Sequence, residues 1–510
     1  MSMIRTRALR RVALCLMAAA PTVTPLVSGA QPAPRTLSLA EALRLAGSSS
    51  EQVAIARAGE QRARGQQVQA RSAMLPQVNT TLNWQKQLQN QFAAITKRSD
   101  NGGSSGGGTG TDSSNNATSS ITRIFASEYN FNFGLTASQP LFTGGRLAAN
   151  VRAARAVRES AELGITSAQA QVQLDVTMAY YDAALSERLV AIAESSLVQT
   201  ERTLRQVQLT RNVGSASEFE LIRARVTRDN QRPGWLQSRT ARELAFEQLR
   251  NLLDLPAGTP LVLTDSIAEA PQPVATAAAA PVTTVNVNAA DVLAVDARVA
   301  GNVSRAVAAT DTTARMRTAV KQAEKGVEAA RQQLRATKAQ RLPSLAAQTN
   351  YQRLAYPTGV LPKSIGDFYP NWTVGLGLSY PLFTGGRVRG EIVAAEAAVI
   401  EAQQRLKLTQ EGASLDARQA TLQLTEAEAT WQASVGTAEQ AQRAYDIAEV
   451  RFREGISTQL ELSETRVQLQ QALANRARAA RDLQVARKRL ELLPYLPLSQ
   501  GTSTNSGTNR

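Results

Sequence analysis

The spacing of hydrophobic and polar positions changes along this chain from a period of two to a helical period, and it does so twice in the same order. Over 129–138, Tyr129, Phe131, Phe133, Leu135 and Ala137 fall on one side, and Asn130, Asn132, Gly134, Thr136 and Ser138 on the other. Over 371–380, Trp372, Val374, Leu376, Leu378 and Tyr380 alternate with Asn371, Thr373, Gly375, Gly377 and Ser379. Both stretches predict strands with one apolar and one small polar face. A weaker alternation precedes each, with Val78, Thr80, Leu82 and Trp84 in the first case and Leu345, Ala347, Thr349 and Tyr351 in the second. Beyond each clear strand the period becomes helical. From Leu147 to about residue 211 there is no proline, and Ile165, Ala168, Val172, Val176, Ala179 and Ala183 recur three or four apart. At ~1.5 Å per residue such a helix is roughly 100 Å long, so it predicts rods packed side by side as in a coiled coil.

One heptapeptide stands at both changes of period, Pro140-Leu141-Phe142-Thr143-Gly144-Gly145-Arg146 and Pro381-Leu382-Phe383-Thr384-Gly385-Gly386-Arg387. Proline suits the end of a ladder, and the Gly-Gly pair supplies backbone angles that other residues avoid, so Pro140, Gly144, Gly145, Pro381, Gly385 and Gly386 are read as strand–helix junctions. Two copies imply an internal duplication. The register supports this: Pro381 follows Pro140 by 241 positions, and Gly455 follows Gly214 by the same 241. Pro343 follows Pro76 by 267, and the excess of 26 lies in the first half's longer loop, which carries a Gly/Ser/Asn/Thr tract at 99–120. Insertions of that kind belong in loops, where closure entropy grows slowly with length.

The predicted organisation is a signal peptide over 1–30, a first repeat over 31–255, a connector over 256–290, a second repeat over 291–493 and a flexible tail over 494–510. Each repeat reads as helix, strand, loop, strand, long helix, tight turn and returning helix. A helix is expected over 36–74 and another over about 292–341. Pro233-Gly234 predicts a kink or break in the helix that returns from Glu218.

Composition narrows the chemistry. The leader has Arg5, Arg7, Arg10 and Arg11, then an apolar run too short to span a bilayer, then Ser28-Gly29-Ala30 as a cleavage site. Cys15, the only cysteine, lies inside that leader, where Leu14 precedes it in place of the small residue that lipid attachment calls for. The mature chain is thus expected to have no thiol and no disulfide. The formal charge is +15, and loss of the four leader arginines leaves +11. Those charges are spread along helical faces and mixed with glutamate, which favours solvated surface over nucleic-acid binding. With no histidine in the chain, no phosphate-binding glycine loop and no metal-ligand spacing, neither an enzyme nor a cofactor or metal site is expected. No apolar run of eighteen or more follows the leader. Any membrane insertion must therefore use strands. The alternating strands are what a barrel needs between lipid and a wet lumen; the less favoured alternative is a soluble sandwich whose apolar face covers a core. Four strands are too few to close a lipid-spanning barrel, for which about eight are needed, so several copies would have to share one; three would give twelve strands.

The two Leu-Phe-Thr-Gly-Gly-Arg segments, the Leu-x-Leu-x-x-Ala-Leu opening at 37–43, the Leu-Pro before the first strand of each half, and the two Gly-centred helix turns together resemble the TolC-like outer membrane efflux proteins. The resemblance covers about 36–493. It implies a mainly α fold with a transmembrane β-barrel portion: a homotrimer in the cell outer membrane whose shared 12-stranded barrel continues into a long periplasmic α-helical barrel. It further implies a passive exit duct for drugs, metabolites or proteins in a tripartite efflux or type I secretion system. Its partners would be outer membrane lipid, a periplasmic adaptor and an inner-membrane pump of RND, ABC or MFS type. A periplasmic adaptor also has long helical hairpins, but the duplicated strand pairs argue against that alternative.

The two turns are the candidate functional positions. Gly214 and Gly455 suit left-handed caps, and Ser217 or Thr458 can cap the departing helices, which by itself explains these residues. The resemblance adds that Val213, Gly214, Ser217, Gly455, Ile456 and Ser457 contact the adaptor, and that Glu220, Glu461 and Glu464 lie at the periplasmic aperture, where Glu461 and Glu464 match acidic rings; two solvated glutamates at a helix start, favoured there by the macrodipole, are the alternative. The resemblance also places Glu220 in a polar latch between neighbouring helices. Phe452 and Ser457 stand where the family has a tyrosine and an arginine, so the latch is expected to be built differently here.

Overall fold

The computed structural model describes residues 35–88, 129–265, 316–357 and 368–498, with four single positions between 358 and 367. The expected signal peptide, the 99–120 tract, most of the expected connector and the part of the expected helix over 292–315 lie outside the described residues.

The chain opens with β1 (Arg35–Leu37), α1 (Leu39–Ser49) and α2 (Glu51–Ser72). The expected single helix over 36–74 is therefore a short strand and two helices. Ser38 caps the first by accepting from the Glu41 amide at 3.2 Å, which leaves Leu37 outside the helix. Leu37 is free to pair with β4 (Leu261–Leu263) in a parallel two-stranded ladder that its three-residue length hides from pattern analysis. The joint is sealed by Tyr180, fully buried, whose hydroxyl donates to the Leu37 carbonyl at 3.1 Å and accepts from the Asp265 amide at 3.2 Å.

Four longer strands form the main sheet: β2 (Gln77–Lys86), β3 (Tyr129–Phe142), β5 (Ser344–Ala355) and β6 (Phe368–Ser379), antiparallel in the order β2-β3-β5-β6. The register sorts the faces as the alternation predicts. Thr80, Leu135, Tyr351 and Trp372 make one cross-strand row, and Val78, Ala137, Thr349 and Val374 the next. Asn79, Thr136, Asn350 and Thr373 make a row on the opposite face. Among the described residues the apolar face covers nothing, and Trp372 and Val374 are 72% and 76% exposed. In a soluble sandwich those residues would be core. One expectation is corrected here. β3 does not end at Pro140 but passes it to Phe142, with a register shift between the two, whereas β6 stops at Ser379 before Pro381. The bulge leaves the proline without a ladder donor to supply.

The long helices follow: α3 (Arg146–Asn212) and α4 (Glu218–Leu252) in the first half, α6 (Arg387–Arg453) and α7 (Gln459–Leu492) in the second. α3 and α6 are each 67 residues, in keeping with the equal spacing of 241. The Gly-Gly pairs at their starts all have positive φ, 61° and 83° at Gly144 and Gly145, 58° and 85° at Gly385 and Gly386. Two successive left-handed residues turn the chain from strand to helix, which explains why both are glycine. The second half's entrance helix, α5 (Thr318–Lys338), packs against α3 and α6.

α4 corrects the expectation at Pro233-Gly234, since the helix runs unbroken from Glu218 to Leu252. Proline costs a helix interior about 3 kcal/mol by deleting one hydrogen bond and crowding the preceding turn. Here Pro233 and Asp229, whose carbonyl it cannot bond to, are both exposed, so the unpaired carbonyl is not buried away from solvent.

Alanine dominates the buried positions along the rods, as at Ala183, Ala417, Ala420 and Ala480, which lets the helix axes approach closely. At the end of α7 the chain stays packed past 493: Leu496 is buried, and the Thr318 amide donates to Pro494 at 2.9 Å. Asp416 anchors this corner, paired with the fully buried Arg317 at 2.7 Å and with Arg489 at 3.1 Å.

Candidate functional site

The ends of the hairpins far from the sheet hold all the predicted tip residues. α3 ends at Asn212 with Val213 as its cap, and Gly214 follows at φ 79°. The Gly214 amide donates to Arg211 at 2.8 Å and the Ser215 amide to Thr210 at 2.9 Å, closing the last turn. The second tip repeats this. Gly455 has φ 74°, its amide donates to Phe452 at 3.1 Å, and the Ile456 amide donates to Arg451 at 2.8 Å.

The departing helices start alike and then diverge. Ser217 accepts from the Glu220 amide at 3.2 Å, and the Glu220 carboxylate accepts from the Ser217 amide at 3.0 Å, a complete capping box. Thr458 caps α7 through the Glu461 amide at 3.4 Å. Glu461 is the repeat counterpart of Glu220, yet its carboxylate turns away from its own cap and accepts from Arg451 at 3.0 Å. Arg211 pairs with Glu218 across the first turn. Glu464 lies one turn further along α7, exposed, on a groove of about 430 Å³ that it shares with Thr227, Asn230 and Gln231 of α4. Glu464 has no ion-pair partner among the described residues.

Val213 and Ile456 are 76% and 69% exposed, and Phe219 stands out beside them. Each tip therefore presents apolar groups to solvent, rimmed by the Arg211–Glu218 and Arg451–Glu461 pairs. Ser457, by contrast, points inward, with its hydroxyl buried and without a hydrogen-bond partner.

Three residues that join the two hairpins were not singled out as sites from sequence. Phe452, visible there only as a departure from the family's tyrosine, packs both with Leu204, Val207, Leu221 and Ala224 and with Tyr445, Ala448, Leu462 and Leu469. Gln459 is 7% exposed, and with its nitrogen turned toward α4 its amide meets the Glu220 carbonyl and the Ala224 amide at 3.2 Å each. Arg466 is also buried, and burial lowers its guanidinium pKa while raising that of the nearby Tyr445 phenol. Polar residues at helical spacing in the sequence do not say which of them face a second hairpin. Higher on the rods, Arg481 of α7 donates to Asp182 of α3 at 2.7 Å.

Residues 42–254 and 288–493 match the family described as outer membrane efflux protein. The chain belongs to that family. Among solved structures it resembles the outer membrane protein VceC of Vibrio cholerae, at 16% identity and a TM-score of 0.64, covering 90% of this chain and 97% of that one. It also resembles the Campylobacter jejuni CmeC outer membrane channel, at 15% identity and TM-score 0.67 over 92% and 88% of the two chains. The open state of the Neisseria gonorrhoeae MtrE outer membrane channel is similar at 17% identity and TM-score 0.66, over 91% of each. A comparison with curated proteins finds no match. As a member of the efflux family the chain is an outer membrane protein, with the β portion in the membrane and the rods as its periplasmic extension. Its fold is the family's β-barrel portion continued by an α-barrel, with the internal duplication expected from sequence.

Proposed function

We propose that three copies of this chain close one twelve-stranded barrel and form the exit duct of a tripartite efflux or type I secretion system. The observation that carries the proposal is the pair of open sheet edges. β2 and β6 each lack an outer neighbour among the described residues, although unpaired edges are excluded from hydrocarbon.

The duplication supplies the missing pairing. The β2–β3 register, Gln77 with Ser138, is reproduced by Ser344 with Ser379 in β5–β6 at offsets of 267 and 241. The central pairing of β3 with β5 joins the two repeats, so its counterpart must join β6 of one copy to β2 of the next. Thr136 pairs with Asn350, which maps to Gly377 against Asn83 of a neighbouring copy. A second half-made contact agrees. Gly144 packs against Leu342, while their counterparts Gly385 and Leu75 stand apart, Gly385 with open space beside it and Leu75 59% exposed.

In this arrangement the rods of three copies prolong the barrel into the periplasm. The exposed Val213 and Ile456 tips, with Gly214, Ser217, Gly455 and Ser457 setting their backbone, are the surface for a periplasmic adaptor. An inner-membrane pump of RND, ABC or MFS type delivers drugs, metabolites or proteins to the duct. Glu464 and Glu461 line the aperture, where a threefold axis brings like charges together and favours cations. Glu220, held in its capping box, contributes to the latch through the α4 backbone that Gln459 grips rather than through its carboxylate.

The test is a disulfide between copies. Asn83→Cys with Gly377→Cys is expected to give a covalent trimer under oxidation, and Asn83→Cys with Leu378→Cys, on opposite faces, much less. Equal yields from both pairs, or only monomer, would refute the shared barrel.

A further inference from the structure

Two cations stand on the apolar face of the sheet, where the alternation calls for hydrocarbon-compatible groups. Arg353 lies in the row Leu82, Phe133, Arg353 and Pro370, and Lys86 lies opposite Tyr129. They occupy counterpart positions. Lys86 and Arg353 differ by the same 267 that relates Gln77 to Ser344, and their partners Tyr129 and Pro370 by the same 241 that relates Ser138 to Ser379. The residues two positions before them are both aromatic, Trp84 and Tyr351, and the neighbouring strands carry Phe131 and Trp372, again counterparts. Both halves of the chain thus place an aromatic pair and then, one step further from the rods, a cation.

The depth of these residues is informative. Each cation is nine positions beyond the start of its strand, Gln77 or Ser344. At ~3.3 Å per residue and a tilt of about 40°, that is roughly 23 Å along the barrel axis, the far edge of an apolar band of about 25 Å. Lipid-facing cations are poorly tolerated at the midplane and well tolerated at the interface. The rods leave from the opposite end of the sheet, so this edge is the outer leaflet. Local contacts hold both side chains at that level: Arg353 Nε donates to the Tyr351 hydroxyl at 2.8 Å, and Lys86 Nζ lies 5.5 Å from the centre of the Tyr129 ring.

We propose that Lys86 and Arg353 form an outward-facing cationic girdle that binds the phosphate groups of an outer-leaflet glycolipid. The inference rests on the shared barrel, which sets two cations per copy at one height around the wall. The guanidinium fork of Arg353 suits two phosphate oxygens at once, and Lys86 adds a point charge. The aromatic pairs just inside the girdle lie at the boundary between sugar headgroups and acyl chains, where amphipathic rings collect.

Native mass spectrometry of the full-length protein in detergent, supplied with a bisphosphorylated glycolipid or its dephosphorylated form, tests this directly. Wild-type protein is expected to retain the phosphorylated lipid preferentially. Lys86→Gln with Arg353→Gln is expected to lose about fivefold in retention per cation removed. Lys86→Arg with Arg353→Lys, which keeps the charge, is expected to retain it. Equal retention of the two lipids by wild type, or undiminished retention by the double glutamine variant, would overturn the proposal. The same spectra give the oligomer mass, so a trimer without lipid preference refutes the girdle alone, while a monomer refutes the barrel on which it rests.

Discussion

Gly144 and Leu342 are in such close contact that a Cβ added to the glycine would lie 2.7 Å from the leucine Cβ. The contact ties the strand–helix junction of the first repeat to the Leu-Pro entrance of the second. It also separates two substitutions that look equivalent in sequence. Both glycines have positive φ, so alanine strains either by on the order of 1 kcal/mol. Gly144→Ala must in addition displace Leu342 within the chain, whereas Gly385→Ala meets nothing until a second copy brings Leu75 against it. Gly144→Ala is therefore expected to lower both the yield of folded chain and its thermal midpoint. Gly385→Ala is expected to act mainly on the trimer, read as a lower dissociation temperature in semi-native electrophoresis.

The tips lend themselves to a separation of assembly from export. Val213→Asp or Ile456→Asp places a carboxylate on an exposed apolar group with no packing to lose in the chain. Trimer content by electrophoresis should stay at the wild-type level, while export of a reporter compound in cells should fall at least about tenfold, since charges desolvated without a partner weaken an interface by 1.4 kcal/mol or more. Undiminished export would remove the tips from the adaptor surface.

At the first tip, Ser217→Ala removes one half of a complete capping box, and Glu220→Ala the other. Each is expected to destabilise the start of α4 by about 1 kcal/mol, and the double variant by less than the sum, because the two bonds are reciprocal. Faster amide exchange over 217–221 in the single variants would show it. Glu461→Ala should leave exchange at the start of α7 nearly unchanged, because that carboxylate bonds Arg451 and not its own cap.

Acid should loosen the contact between α3 and α5. The Glu159 carboxylate bonds Lys325 at 2.8 Å and Arg155 at 2.8 Å, and these bonds, Lys325 first, hold its pKa below the ordinary 4.5. A carboxyl with a depressed folded-state pKa stabilises fully above its unfolded value, and that stabilisation is lost as pH falls through the folded value. The contribution is thus constant at neutral pH and declines below about 4.5. Glu159→Gln is expected to be less stable than wild type at pH 7, and the gap should narrow steadily as the pH is lowered below 4.5. A gap that is constant across that range would show that the pairing contributes nothing.

The long-range plan was legible because it is written twice. Alternation at 129–138 and 371–380, two Gly-Gly junctions and equal spacings locate the long rods and their turns within a residue or two and the strands within about four, since a period and a repeat are properties of the sequence itself. What escaped was decided by contacts between distant segments. Three residues, Arg35–Leu37, become a strand only because Leu261–Leu263 lies beside them, and Ser38 draws the helix boundary after them. Pro233 stays helical because its face meets water. At the tips, glycine and serine announced their caps, but nothing in the spacing distinguished Glu220, closed on its own backbone, from Glu461, which reaches for Arg451. Phe452, Gln459 and Arg466 drew no notice as sites because the pattern within one helix does not record which neighbour that helix leans on.

Phe452 has a mechanical consequence. One aromatic ring is divided between the cluster around Leu204 and Leu221 and the cluster around Tyr445 and Leu462. If the rods are to splay, that ring must leave one bed or the other and expose part of a surface whose full burial is worth about 1.5–3 kcal/mol. Separating the two hairpins of a copy at this level therefore carries a cost below that figure, set by a single side chain.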